Sequence, residues 1–243
     1  MNLLFNIIIL FVVIFILLVI GFMFWRFFYF FRNPARVISC NDNNILSPAD
    51  GQIVYIKKVC NGKDTPIFSI KERTVIKLYE LIETNSEELK DKEGYLIGIF
   101  MSPFDVHYNR MPIKGHIKKI GHYFPNSPLS KKINQGMYNI FSNLLFDEKP
   151  YYHDADFIID NERASYIIKN NQCTVYVTQI ADRWVNKIVN FVDEKILSQG
   201  EIFGMIRMGS QVDIFVPSLD TYRIKVSLGE KVKAGISVLM TKE

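Results

Sequence analysis

Nineteen consecutive residues, Ile7 to Trp25, carry no charge. A helix of that length rises about 28 Å, close to the roughly 30 Å hydrocarbon core of a bilayer. Such a segment suits a bilayer, so the expectation is a lipid-facing N-terminus and a remainder that folds in water. A signal peptide would have a shorter apolar stretch, basic residues before it and a small-residue cleavage site after it. Here no Lys or Arg precedes the run. Trp25, Arg26, Phe27, Phe28, Tyr29, Phe30, Phe31 and Arg32 follow it, an aromatic belt with cationic anchors. The expectation is an uncleaved anchor over residues 1–32 and a catalytic or binding domain over 33–243. Arg26, Arg32 and Arg36 all lie on the C-terminal side. The positive-inside tendency then puts the domain in the cytoplasm, at the cell's inner membrane. The Phe-rich stretch 22–31 also suits a helix lying flat in the interface, which leaves a monotopic attachment open.

Beyond the anchor the composition excludes more than it assigns. A net charge of +4 with no long Lys/Arg block gives no case for nucleic acid. Cys40, Cys60 and Cys173 are far apart and form no CxxC pair, so neither a disulfide framework nor a zinc knuckle is expected. Asn33-Pro34 ends the anchor, because a residue before proline avoids the helical region. Short apolar runs punctuated by Gly and Pro follow from Ile45. Strands are predicted over Gln52–Val59, Thr74–Ile82, Tyr95–Met101, Gly115–Ile120, Tyr166–Lys169, Thr174–Ile180, Val212–Val216 and Tyr222–Val226. Ala181–Val192 is predicted as a helix, from Trp184, Ile188 and Val192 at i, i+4 and i+8, with a strand as the alternative. Residues 125–156, with Pro125, Pro128 and Pro150, read as a long insertion or flap. The turn-then-strand segments Ser47–Val54 and Val226–Leu239 resemble the hairpins of biotinyl and lipoyl carrier domains, without the exposed lysine those hairpins present. The predicted fold is mainly β (α+β), with a sandwich- or barrel-like core behind an N-terminal hydrophobic helix.

Four stretches hold candidate chemistry. Gly209-Ser210 is first: a serine after a flexible glycine can attack the preceding carbonyl, although Gly-Ser taken alone marks a turn. In Ser47-Pro48-Ala49-Asp50-Gly51, Asp50 is either a turn residue bonding its own backbone or a carboxylate that orients a histidine. Phe100–Pro112 contains Asp105, His107 and Arg110. Histidine is the side chain best suited to move protons near neutral pH. Asp105 suits a turn cap, and Arg110 a phosphate or a carboxylate. Asp160–Ser165 reads by itself as a solvated charged turn. His153-Asp154-Ala155-Asp156 has a faint metal-ligand look with no second cluster to support it, and no metal is expected.

Taken in order, Ser47–Gly51, Phe100–Pro112, Asn161–Arg163, Gln179–Ala181 and Gly200–Pro217, closed by Gly229–Leu239, resemble phosphatidylserine decarboxylases of the short membrane-associated bacterial and archaeal type. The likeness spans about residues 26–243, and Phe203–Asp213 is its most specific piece. It implies that Ser210 attacks the Gly209 carbonyl and breaks the chain into a large subunit, 1–209, and a small subunit, 210–243. It further implies that Ser210 becomes a covalent pyruvate (pyruvoyl) cofactor that condenses with the amine of phosphatidylserine and leads to phosphatidylethanolamine. The same resemblance implies a self-cleavage triad of Asp50, His107 and Ser210, with His107 as the proton donor after loss of carbon dioxide. Many relatives carry a second histidine where Arg110 stands, while the short type commonly shows His-x-Asn-Arg; this puts more weight on His107. Arg110 is then a candidate substrate contact. The competing expectation from another class is a membrane-anchored adaptor with a carrier-like sandwich and no catalysis, which has no use for Gly209-Ser210 or His107.

Overall fold

The computed structural model describes residues 2–63, 65–70, 73–125, 158, 161–181, 188–207, 210–217 and 221–243. The predicted insertion 125–156 and His153–Asp156 therefore lie outside the described residues, except for Pro125. Two compact units emerge, Met1–Pro34 and Ala35–Glu243. The first is helix α1 (Asn2–Phe24), continued by a wider π-type turn over Trp25–Tyr29. Phe5–Tyr29, which contains an 18-residue window with a mean hydropathy of 3.5, is long and apolar enough to cross a membrane.

The second unit is mostly β. Its strands are β1 (Asn44–Leu46), β2 (Gly51–Val59), β3 (Pro66–Ile70), β4 (Arg73–Lys77), β5 (Gly94–Met101), β6 (Tyr108–Arg110), β7 (Gly115–Tyr123) and β8 (Arg163–Lys169). These are followed by β9 (Thr174–Ala181), β10 (Ile188–Asn190), β11 (Glu194–Leu197), β12 (Ile202–Ile206), β13 (Ser210–Val216), β14 (Tyr222–Ile224), β15 (Lys231–Val232) and β16 (Val238–Lys242). One short helix, α2 (Leu78–Ile82), follows β4.

Two predicted elements are corrected. Thr74–Ile82 is not one strand: β4 stops at Lys77, where the Glu80 carboxylate accepts the Lys77 N–H at 2.8 Å and starts α2. Ala181–Val192 is not a helix where it is described. Ala181 ends β9 and Ile188–Asn190 is strand β10, with 182–187 outside the described residues. Residues four apart share a face in a helix and in a strand alike, so the i, i+4 signal from Ile188 and Val192 could not separate the two.

An eight-stranded sheet in the order β11-β7-β8-β9-β13-β5-β2-β15 organises the unit, and every pairing in it is antiparallel. Both of its faces are covered. Ile97, Ile99, Met101, Val175, Val177, Val212 and Ile214 face one core, shared with Ile45, Leu239 and Met240 of sheet β1-β16-β14 and with Phe203 and Ile206 of sheet β10-β12-β6. Leu96, Ile167, Tyr176 and Phe215, at the alternate positions, face a second core closed by Leu78, Leu81 and Ile82 of α2. The two segments likened to carrier hairpins pair with each other. Gln52 and Gly51 of β2 register with Lys231 and Val232 of β15, and Gly235 N–H reaches Ser47 O at 2.8 Å.

Candidate active site

Strand β13 sits in the middle of the large sheet. Its first residue, Ser210, registers with Met101 at the end of β5 and with Ala181 at the end of β9. One step inward, Gln211 registers with Phe100 and Ile180, and Ile180 with Arg163. The ends of β5, β8 and β9 and the start of β13 thus meet at one end of the sheet. Gly209, the other half of the bond singled out in the sequence, lies outside the described residues.

His107 reaches this end through a tight turn after β5. The Asp105 carboxylate accepts the Ser102 N–H at 2.8 Å, the turn cap that the sequence suggested. The chain then places the His107 ring in the interior with no exposed surface. Nδ1 of His107 lies 2.9 Å from the Asp105 carbonyl. A carbonyl only accepts, so Nδ1 carries the proton and Nε2 is the basic nitrogen. The His107 carbonyl accepts the Ile206 N–H at 3.2 Å, which ties this turn to the strand leading into residues 207–210.

Asp50 lies in a different set of contacts. Its carboxylate receives both arms of Arg36 at 2.6 and 2.8 Å and the Ala234 N–H at 2.7 Å. Arg36 also donates to the Ala234 carbonyl at 2.6 Å, and its side chain is only 4% exposed. No hydrogen bond joins Asp50 to His107 among the described residues; the carbonyl of Asp105 holds Nδ1. Asp50 is connected to the histidine segment through its turn instead, since Pro48 O accepts the Arg110 N–H at 2.9 Å. Arg36, counted from sequence among the cations flanking the anchor, is a buried partner of Asp50. Arg110 is buried as well and donates to the Gly200 carbonyl at 2.9 Å. Burial and the nearby Arg36 lower its pKa, with Asp50 opposing.

A buried amide network surrounds position 210. Gln179 on β9 donates to Asn109 Oδ1 at 2.6 Å, and Asn109 Nδ2 approaches the Pro48 carbonyl at 3.5 Å and Met101 Sδ at 3.9 Å. The stretch that read as a solvated turn is the opposite: Asn161, Glu162 and Arg163 are all buried. Asn161 Nδ2 donates to the Ala181 carbonyl at 3.0 Å, and the Ala181 N–H donates to Glu162 O at 2.9 Å. Both backbone groups of the residue facing Ser210 are therefore held by this turn. Glu162 in turn receives His122 at 2.9 Å. Asn161–Arg163 and Gln179–Ala181 belong to the stretches that carry the family resemblance, yet no role for them is legible in the sequence. Their signal is local, a Gln within the apolar run of β9 and an Asn-Glu-Arg just before a buried strand.

On the second face of the sheet, Asp213 is 1% exposed. Its carboxylate accepts from Gln211 Nε2 at 2.8 Å, and the same Nε2 lies 2.9 Å from Tyr55 Oη. Asp213 registers with Gly98, and Gly98 with Tyr55, so the Tyr55 ring crosses strand β5 where there is no side chain. A Cβ at Gly98 would lie 2.4 Å from that ring. Burial pushes the Asp213 carboxyl up to about 7, against the hydrogen bonds from Tyr55 and Gln211 and the charge of Lys57.

The pattern that describes phosphatidylserine decarboxylases matches residues 23–240. The chain belongs to the phosphatidylserine decarboxylase family. A protein of Methanocaldococcus jannaschii, named provisionally as an archaetidylserine decarboxylase proenzyme, is 34% identical over 215 residues, 88% of each chain. A phosphatidylserine decarboxylase proenzyme of Cytophaga hutchinsonii is 33% identical over 221 residues, 86% of this chain and 74% of its own. A proenzyme of the same name from Burkholderia pseudomallei is 31% identical over 212 residues, 86% of this chain and 75% of its own. The family match includes Asp50, His107, Asn109, Asn161, Gln179 and Ser210, so the whole buried polar cluster falls inside the decarboxylase homology.

Proposed function

We propose that this chain is a self-processing enzyme that decarboxylates phosphatidylserine to phosphatidylethanolamine. The observation that carries the reading is the placement of Ser210. It opens a central strand, in register with Met101 and Ala181, at the end of the sheet from which the turn after β5 leads to a buried histidine whose Nδ1–H is fixed on a carbonyl. In maturation, His107 Nε2 takes the hydroxyl proton of Ser210 as its oxygen bonds to the Gly209 carbonyl carbon. The Gly209–Ser210 C–N bond breaks, which leaves an ester and a free amine at 210. Elimination releases the Gly209 carboxylate, and hydrolysis of the resulting dehydroalanine releases ammonia and leaves a pyruvoyl group on 210. We assign Asp50 a positioning role: with Arg36, Arg110 and the Ala234 amide it fixes the turn whose Pro48 carbonyl holds the histidine segment. Arg110 belongs to this cluster in our reading, rather than to a lipid phosphate.

The residues present suit such a group, since small Ala181 registers with position 210, the neutral amides of Asn109, Asn161 and Gln179 lie on the neighbouring elements, and the nearby carboxylate of Glu162 is engaged by His122. When formed, the pyruvoyl group supplies an electron sink for loss of carbon dioxide from the substrate's α-carbon. The chain's own part is to bind and orient the amine, exclude water from the interior, and return a proton from His107 Nε2. The two pieces, 1–209 and 210–243, remain together because three of the four described strands of the small piece are paired into the large one: β13 with β5 and β9, β15 with β2, β16 with β1. The apolar helix keeps the site at the membrane that holds the substrate. Arg26 and Arg32, beyond its C-terminal end, favour a cytoplasmic domain at the inner membrane.

Mass spectrometry of the purified protein tests the reading. A small chain that begins at position 210 with a blocked, hydride-reducible N-terminus is expected. Ser210→Ala is expected to give one uncut chain and no lipid decarboxylation. An intact 243-residue chain in membranes that decarboxylate phosphatidylserine would overturn the proposal.

A further inference from the structure

Two buried amide side chains beside position 210 each hold an oxygen that accepts nothing. Gln179 is fully buried, its Nε2 is used by Asn109, and its Oε1 has no hydrogen-bond partner. Asn161 is 1% exposed, its Nδ2 is used by the Ala181 carbonyl, and its Oδ1 has no partner either. Buried polar atoms are nearly always satisfied, so two such atoms in one site point to a ligand that donates.

Their location fits a substrate subsite. Gln179 and Ala181 lie two residues apart on one face of β9, about 7 Å along the strand. Ala181, gripped by Asn161, registers with Ser210, and Gln179 registers with Val212. From Gln179 the amide chain continues through Asn109 to Met101, the other register partner of Ser210. The network therefore spans the first residues of β13 from β9 to β5.

The chemistry of the proposed substrate supplies the donor. In a serine phospholipid head group the carboxylate, the phosphodiester and the acyl esters only accept at neutral pH. The amino group is the one donor. Two amide oxygens suit it for a further reason. A carboxylate in their place would favour the ammonium form, whereas a nitrogen must have a free lone pair to add to a carbonyl. The carboxylate near these amides, Glu162, is engaged by His122 at 2.9 Å and by the Ile188 N–H at 3.4 Å.

We infer that Gln179 and Asn161 form an amine subsite, in which Oε1 and Oδ1 accept hydrogen bonds from the amino group of the serine head group and aim its nitrogen at residue 210. This rests on the function proposed above and assigns that reaction two positioning residues.

Direct binding tests it without turnover. The full-length Ser210→Ala chain in detergent is titrated calorimetrically with glycerophosphoserine and with its N,N,N-trimethyl analogue, which has no N–H donor. The parent compound is expected to bind at least 10-fold more tightly than the analogue. Asn161→Leu and Gln179→Leu are each expected to reduce that preference several-fold, with melting profiles showing that the variants are folded. Where a Leu variant does not fold, Asn161→Asp and Gln179→Glu carry the test, because they keep the shape and are expected to tighten binding of the protonated amine. A preference that is absent in the parent chain or unchanged in both Leu variants, an affinity unmoved by Asp and Glu, or no binding of glycerophosphoserine, overturns the subsite. Failure of the lyase reading is seen separately, as a wild-type chain that stays uncut.

Discussion

His107 shows how little of a site's wiring its residue types reveal. An Asp-x-His segment beside a Gly-Ser bond marks the base, and a carboxylate upstream invites the reading of a triad. The orienting oxygen is a backbone carbonyl two residues away, at 2.9 Å, and the upstream Asp50 is bound to groups 14 residues before and 184 residues after it. Neither Arg36 nor Ala234 stands out in the sequence, because a salt bridge and a backbone amide leave no motif. Asp50, His107 and Ser210 were legible as candidates; the bonds among their neighbours depend on the fold. With Nδ1–H tied to a carbonyl, proton transfer by His107 falls to Nε2. General base catalysis contributes about 10²- to 10⁴-fold. His107→Ala is accordingly expected to slow the appearance of the 210–243 fragment by at least about 100-fold. A time course of fragment release by gel or mass spectrometry measures this. Processing at the wild-type rate would remove His107 from maturation.

At the scale of elements, strand β13 shows what alternation does. Val212, Ile214 and Val216 face one core, while Gln211, Asp213 and Phe215 face the other side of the same sheet. Strands covered on both faces read as nearly unbroken apolar runs. This is why the central strands are legible in the sequence, whereas β10, a half-exposed edge strand, shows only the four-residue spacing that a helix shares. Asp213 is the exception within such a run, tolerated because Gly98 lets Tyr55 cross to it. Its carboxyl, raised by burial to about 7, gives the fold a defined pH response. The ordinary carboxyl value is 3.8, so the folded chain keeps a proton that the unfolded chain has lost between about pH 4 and 7. The protonated form is the stable one. Stability is then full below about pH 4, falls by at most about 1.4 kcal/mol per pH unit through that window, and is flat above it. Asp213→Asn removes this slope. Thermal melts of both proteins from pH 4.5 to 8 should show the variant gaining on the wild type as pH rises. Parallel profiles would show that Asp213 does not titrate there.

The whole molecule joins an apolar helical unit to a β domain, and the boundary between them falls at Pro34. From sequence the boundary fell at Asn33-Pro34, and the compact units are Met1–Pro34 and Ala35–Glu243. Arg36 is only two residues beyond that boundary, yet its guanidinium is buried on Asp50 and on the Ala234 carbonyl. Removing one member of a buried ion pair typically costs about 3–5 kcal/mol, because the charge left behind has no partner. The place at which the anchor is removed should therefore matter more than its removal. A chain that begins at Ala35 keeps Arg36 and is expected to melt close to the full-length protein, while losing its association with sedimented phospholipid vesicles. A chain that begins at Val37 differs by two residues and is expected to lose about 3–5 kcal/mol of stability, since Asp50 is then buried without its cation. In that shorter chain Asp50→Asn should recover part of the loss, which a mere shortening of the terminus would not allow. Equal melting temperatures for the two truncated chains would show that the Arg36–Asp50 pair does not hold the start of the domain in place.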